Sequence, residues 1–175
     1  MHSIYQRLNS VSALLSTCLL VLLGSIALTT YVHETHPSGT LEISSTKVKL
    51  GRMRYQRRMV ETAHVKFNYN ADLTSLFHWN TKQVFLYLTA EYTNAQGTQN
   101  EAVFWDRIVR RKEDANIHIA GGNKYFLKDL TRSFKNATSV TYSMKYNVMP
   151  WIGPLTWGEA GRTEALPLPP AQNTV

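Results

Sequence analysis

Cysteine is almost missing from this sequence. Cys18 is the only one in 175 residues, which excludes a disulfide scaffold and any cysteine-based zinc site. No internal repeat and no low-complexity tract occurs, and no G-x-S-x-G triplet marks a nucleophile elbow. Charge is not extreme either: 19 Lys plus Arg against 12 Asp plus Glu give a formal +7. With 43% apolar and 18% charged residues, bulk disorder is excluded. The length accommodates one soluble domain and at most one appendage.

What the sequence does have is one long apolar run. No charged side chain lies between Leu8 and Val32. As a helix, Val11 to Val32 measures roughly 33 Å, enough to cross a hydrocarbon core of about 30 Å. Its Ser and Thr hydroxyls can bond back to the helix backbone and cost little in lipid. Tyr31 falls at headgroup depth. Arg7 and the terminal amine precede the run. After it come His33, Glu34 and His36, and no Lys until Lys47. That asymmetry keeps the short tail cytoplasmic and sends the remainder outside or into a lumen. The alternative is a secreted or lumenal binding module, for carbohydrate or protein, released by cleavage after Ala27. Ser25 and Ala27 have the small-residue spacing that cleavage requires, but the run exceeds an ordinary signal-peptide core.

Beyond a Pro37-Ser38-Gly39 hinge the pattern turns to period two. Val65, Phe67 and Tyr69 alternate with Lys66, Asn68 and Asn70. Val84, Leu86 and Leu88 alternate with the bulky Phe85 and Tyr87, as in a central strand. Val140, Tyr142, Met144, Tyr146 and Val148 alternate with Thr141, Ser143, Lys145 and Asn147, a half-buried strand with Ser143 on its polar face. Weaker strand signals cover Leu41–Ile43, Lys47–Leu50, Ala102–Val109, Asn116–Ile119 and Lys124–Leu127, and a short helical turn is expected at Asp72–Phe77. The expected fold is mostly β: a single N-terminal transmembrane helix followed by an antiparallel β-sandwich-like domain. The expected organisation is a tail over 1–10, the span over 11–32, a linker over 33–40, the lumenal sandwich over 41–165 and a flexible end over 166–175.

Little in this sequence points to chemistry. His33, Glu34 and His36 form an H-x-x-H group beside the membrane, better read as a hydrated stalk than as a zinc site. Ser143-Met144 echoes the Ser-Met pair of signal-peptide-cleaving proteases, but no recognisable basic partner follows. Asp72, Glu91 and Asp106 flank or follow strands and read as turn caps or surface charges rather than paired catalytic carboxylates. Lys47, Lys49, Arg52, Arg54, Arg57 and Arg58 form a basic run. On the far side of a membrane it reads as a solvated hairpin or a contact for lipid phosphates, not a nucleic-acid site. Asn136-Ala137-Thr138 is a glycosylation acceptor triplet ahead of a strand. No catalytic residue, metal or cofactor is called for.

The segment Ala71 to Tyr92 resembles the signature of a known family. Asp72-Leu73, Trp79-Asn80, Lys82-Gln83 and Ala90-Glu91-Tyr92 carry the likeness. It continues with Trp105-Asp106-Arg107-Ile108-Val109, Lys124-Tyr125-Phe126, the Asn136 triplet, and Asn147-Val148-Met149-Pro150. In order and spacing these blocks are similar to subunit 3 of the eukaryotic signal peptidase complex, its glycosylated accessory subunit. The resemblance implies a type II membrane protein of the endoplasmic reticulum with a lumenal β-sandwich-like domain and no active site of its own. It implies assembly with a separate serine-protease subunit and two small membrane subunits, near the place where signal peptides are cut. It also implies a retained anchor and a glycan on Asn136. The signature residues Asp72, Trp79, Asn80, Lys82, Gln83, Glu91, Tyr92, Trp105, Asp106, Asn147 and Pro150 are then structural or partner-docking. Gly51 to Glu61 is more basic than the family pattern, and the end after Trp151 matches it poorly.

Overall fold

The structure is a computed structural model that describes residues 3–33, 35–52, 59–94, 96–135, 137 and 139–173. Among the described residues one α-helix, α1 (Ile4–Val32), leads into nine strands. Ser3 caps α1 by accepting the Gln6 amide at 3.3 Å. Ser10, Ser16, Thr17 and Ser25 each donate their hydroxyl to the carbonyl four residues back, at 2.9–3.0 Å. These four hydroxyls are thereby satisfied within the helix, as lipid requires. Thr30 is the one buried residue of α1. Mean hydropathy reaches 2.3 over its most apolar window.

The strands are β1 (Ser38–Arg52), β2 (Met59–Asp72), β3 (Thr81–Thr93), β4 (Gln99–Val109), β5 (Asn116–Gly122), β6 (Ser139–Pro150), β7 (Thr156–Arg162), β8 (Leu166–Pro167) and β9 (Gln172–Asn173). One sheet has the order β5-β2-β1-β9. The other has β4-β3-β6-β7, with β8 on β6. All pairs are antiparallel except β1 with β9.

The period-two residues do what their spacing asks. On β2, Val65, Phe67 and Tyr69 are buried while Lys66, Asn68 and Asn70 are exposed. On β3, Val84, Leu86, Leu88 and Ala90 face the opposite sheet. Phe67 meets Phe104 edge-to-face at 6.3 Å, and Phe104 meets Tyr142 at 5.8 Å. These aromatic contacts interlock the two sheets into one core. At one edge β1 and β7 approach so closely that a Cβ at Gly39 would overlap the Ala160 carbonyl oxygen and lie 2.8 Å from the Tyr69 hydroxyl.

Several expected elements differ. β1 runs unbroken from Ser38, within the expected hinge, and absorbs one bulge between Ile43 and Ser45. Lys124–Leu127 is not a strand. The Asn123 side chain accepts the Val65 amide at 2.6 Å and donates to the Ala63 carbonyl at 2.9 Å, standing in for a strand partner and ending the ladder. Only an isolated bridge, Ala63 to Leu127, remains there. At the C-terminal end Leu166, Leu168 and Ala171 pack on the core, which draws β8 onto β6 and β9 onto β1. Ser143 is fully buried rather than on a wet polar face.

Candidate docking surfaces

Asn80 joins the helix to the sandwich. Its side-chain amide donates to the Thr30 hydroxyl of α1 at 3.2 Å and to the Ile152 carbonyl at 2.7 Å, and its oxygen accepts the Ile152 amide at 3.2 Å. Its own carbonyl accepts the Trp151 amide at 2.8 Å. Only 1% of Asn80 is exposed, so the amide is chosen for its two-sided bonding in a dry place. Gly153, at φ +117°, brings its backbone against Ala27, where a Cβ would meet Ala27's at 3.2 Å. His33, just past α1, stacks on His78 at 4.8 Å. The Asn80 amide donates to His78 Nδ1 at 3.2 Å. Desolvation, and secondarily the neighbouring His33, hold the His78 imidazole below its ordinary value.

Other signature residues gather at this end. Trp79 and Trp151 are 60% and 66% exposed. The Lys82 ammonium lies 5.3 Å over the Trp151 ring. Gln83 donates to the Met149 sulfur at 3.0 Å, and Pro150 closes β6. Asp72 accepts the Thr74 amide at 2.9 Å just ahead of a 3-10 turn at Thr74–Leu76, within the turn expected at Asp72–Phe77. Those bonds from Thr74 hold the carboxyl below the usual range.

The remaining signature residues belong to the β4-β3-β6-β7 sheet. On its outer face Lys145 bridges Glu91 and Glu101, each at 2.7 Å, and Arg162 reaches Glu91 at 3.0 Å. Phe85 and Tyr87 stack at 5.4 Å on the same face. The strand register sets Ile108, Phe85, Asn147 and Trp157 in one row across it. Ile108 and Trp157 are 45% and 68% exposed. An apolar band thus lies beside an ion network, the composition of a docking surface. Trp105 instead turns inward, edge-on to Phe67 at 5.6 Å. Asp106 pairs with Lys124 at 2.8 Å, a hydrogen bond that holds its carboxyl below the usual range.

The other candidates separate. Asp72, Glu91 and Asp106 lie on three different strands, each engaged with its own neighbours. No group of three His, Cys, Asp or Glu able to hold a metal occurs among the described residues. Glu34 lies outside them, as do Arg54, Arg57 and Arg58, and Asn136 and Thr138 of the expected glycosylation triplet. Lys47 and Lys49 are exposed on β1. The Ser143 hydroxyl has no partner among the described residues.

Sequence reasoning missed two buried carboxylates that fasten the loop between β5 and β6. Asp129 accepts the Tyr92 hydroxyl at 2.9 Å and the Thr131 amide at 2.7 Å. Burial alone would raise its value, but bonds from Thr131, Tyr92 and the Leu130 amide bring it below the ordinary range. Glu61 accepts Ser133 Oγ at 3.0 Å and the Phe134 amide at 2.6 Å. The Asp129-Leu130-Thr131 spacing was the available signal, since an Asp readily bonds the amide two residues on.

A family model described as signal peptidase subunit matches residues 1–171. The chain is 43% identical over 100 residues to "Signal peptidase complex subunit 3" of Saccharomyces cerevisiae, covering 57% of this chain and 54% of that protein. To the same-named proteins of Caenorhabditis briggsae and Gallus gallus it is 32% and 29% identical, each over 99% of this chain and 98% of the relative.

Proposed function

The chain belongs to the signal peptidase subunit family, and from that premise we propose how it serves the complex. It is a non-catalytic accessory subunit of the signal peptidase complex. It resides in the endoplasmic reticulum membrane as a type II protein, with α1 as an uncleaved signal anchor and the sandwich in the lumen. There it holds the catalytic subunit in position for removal of signal peptides, together with two small membrane subunits, and stands near the signal peptide without cutting it.

The observation that carries this reading is the bonded junction at Asn80. A body bonded to its anchor through Asn80 and Thr30, and packed on it at Gly153 and Ala27, has a fixed height and orientation over the bilayer, as a positioning subunit requires. The same junction argues against the secreted alternative, because the bond after Ala27 lies where Gly153 packs on the helix. The outer face of β4-β3-β6-β7 is our choice for the protease-docking face, with Glu91 in its ion network and Phe85, Tyr87 and Trp157 in its apolar part. Asn136 carries the glycan. In the sequence it precedes β6, which begins at Ser139 and ends at Pro150.

Purification in mild detergent tests the assignment. The protease subunit is expected to co-purify with this chain, and depletion of this chain to weaken presequence cleavage. Unaffected cleavage by the remaining subunits would refute the positioning role. Glycosidase and protease-protection tests on membrane vesicles check the lumenal side.

A further inference from the structure

The junction fixes the depth of two turns relative to the span. Gly153 touches Ala27, Asn80 bonds Thr30, and His78 stacks on His33. From Ala27 to His33 a helix rises about 9 Å. The polar layer flanking the hydrocarbon is roughly 5–8 Å thick on each side. The turns at 77–81 and 150–155 are therefore level with the last turn of the span and the headgroup layer.

What these turns expose suits that layer. Trp79 is 60%, Trp151 66% and Leu155 42% exposed, next to Tyr31 at 67%. A solvated protein end seldom offers two bare indoles side by side with an apolar helix, whereas the headgroup layer takes an indole's apolar body and its N–H donor together. No acidic residue occurs between Asp72 and Glu91, or between Lys145 and Glu159. Anionic lipid phosphate thus meets no like charge from either turn. Lys82, whose ammonium lies 5.3 Å over the Trp151 ring, carries the one full positive charge between Asp72 and Glu91, and its long stem lets it reach a phosphate above the indole.

We propose that this end of the sandwich is itself a membrane-binding surface: Trp79 and Trp151 seat in the headgroup layer beside the exit of α1, and Lys82 contacts a lipid phosphate. The body then grips the bilayer at a second place besides its anchor. The surface is continuous with the spanning helix, which selects lipid as its occupant over a second protein. The inference rests on α1 crossing the bilayer.

Its test uses the full chain in phosphatidylcholine vesicles whose lipids are brominated near the carbonyl end of the acyl chains. Bromine is expected to quench the tryptophan emission. W79F and W151F are each expected to remove roughly half of the quenchable share, and W105F none of it. Both tested positions are exposed, so neither replacement threatens the core. Retention of full quenching in both W79F and W151F would overturn the proposal. So would indoles quenched by aqueous iodide alone, or shielded from lipid and iodide alike by a protein partner or a second copy. A bimane label on Cys18 reports the span in the same vesicles. If bromolipid quenches the bimane but neither indole, this proposal fails alone; if the bimane is not quenched, the anchor reading fails with it.

Discussion

Asn80 and Ser143 are both buried polar residues, and they predict opposite outcomes. Asn80→Ala leaves the Ile152 amide and carbonyl and the Thr30 hydroxyl without their partner in a dry place. A loss of about 1–3 kcal/mol is expected, read as a lower thermal midpoint of the full chain in detergent. Ser143→Ala removes a hydroxyl that is buried and has no partner among the described residues. It is expected to be neutral or slightly stabilising in the same melt, with presequence cleavage by the assembly unchanged. A large loss of cleavage in S143A would contradict the non-catalytic assignment. The residue types alone did not separate these two cases. Both are small polar residues in apolar company, and only the position of the partner atoms, supplied by Thr30 and Ile152 from distant parts of the chain, tells them apart.

Among the elements, β1 carries a contrast within one strand. At Gly39 an added methyl would run into the Ala160 carbonyl, which belongs to backbone and cannot swing away, while at Gly51 nothing lies within 4 Å. Gly39→Ala is expected to destabilise by about 1–3 kcal/mol, and Gly51→Ala to be silent or mildly stabilising, as denaturant midpoints will report. Element type was legible wherever side chains alternate strictly. β2, β3 and β6 follow directly from apolar spacing, and α1 follows from a charge-free run. Legibility failed where pairing is decided by a side chain or by distant packing. Lys124–Leu127 has strand-like composition, yet the Asn123 amide ends the ladder before it. The proline-bearing end looked loose, yet Leu166, Leu168 and Ala171 tie it to the core. Of the candidate sites, the signature residues were named by resemblance, but their division among the helix junction, an outer sheet face and, for Tyr92 and Trp105, the core depends on pairings that the sequence does not display.

For the whole molecule, the His33–His78 stack makes the junction sensitive to pH. The folded His78 lies below the ordinary 6.5 because it is desolvated and adjoins His33. The unfolded imidazole therefore binds its proton first as pH falls. The stability His78 contributes is complete above about pH 6.5 and declines as pH drops from there toward the folded value. Thermal midpoints are expected to fall across that window, and less so in His78→Gln. The fastening of the body to α1 at Asn80 and Gly153 also has a mechanical result. A helix in a thinner bilayer relieves its excess length by leaning, and a body clamped to it must lean as well. β6, at about 40 Å for its 12 residues, works as a lever arm. A lean of about 10° would carry its far end sideways by about 7 Å, so local lipid thickness becomes an input to where the sandwich points.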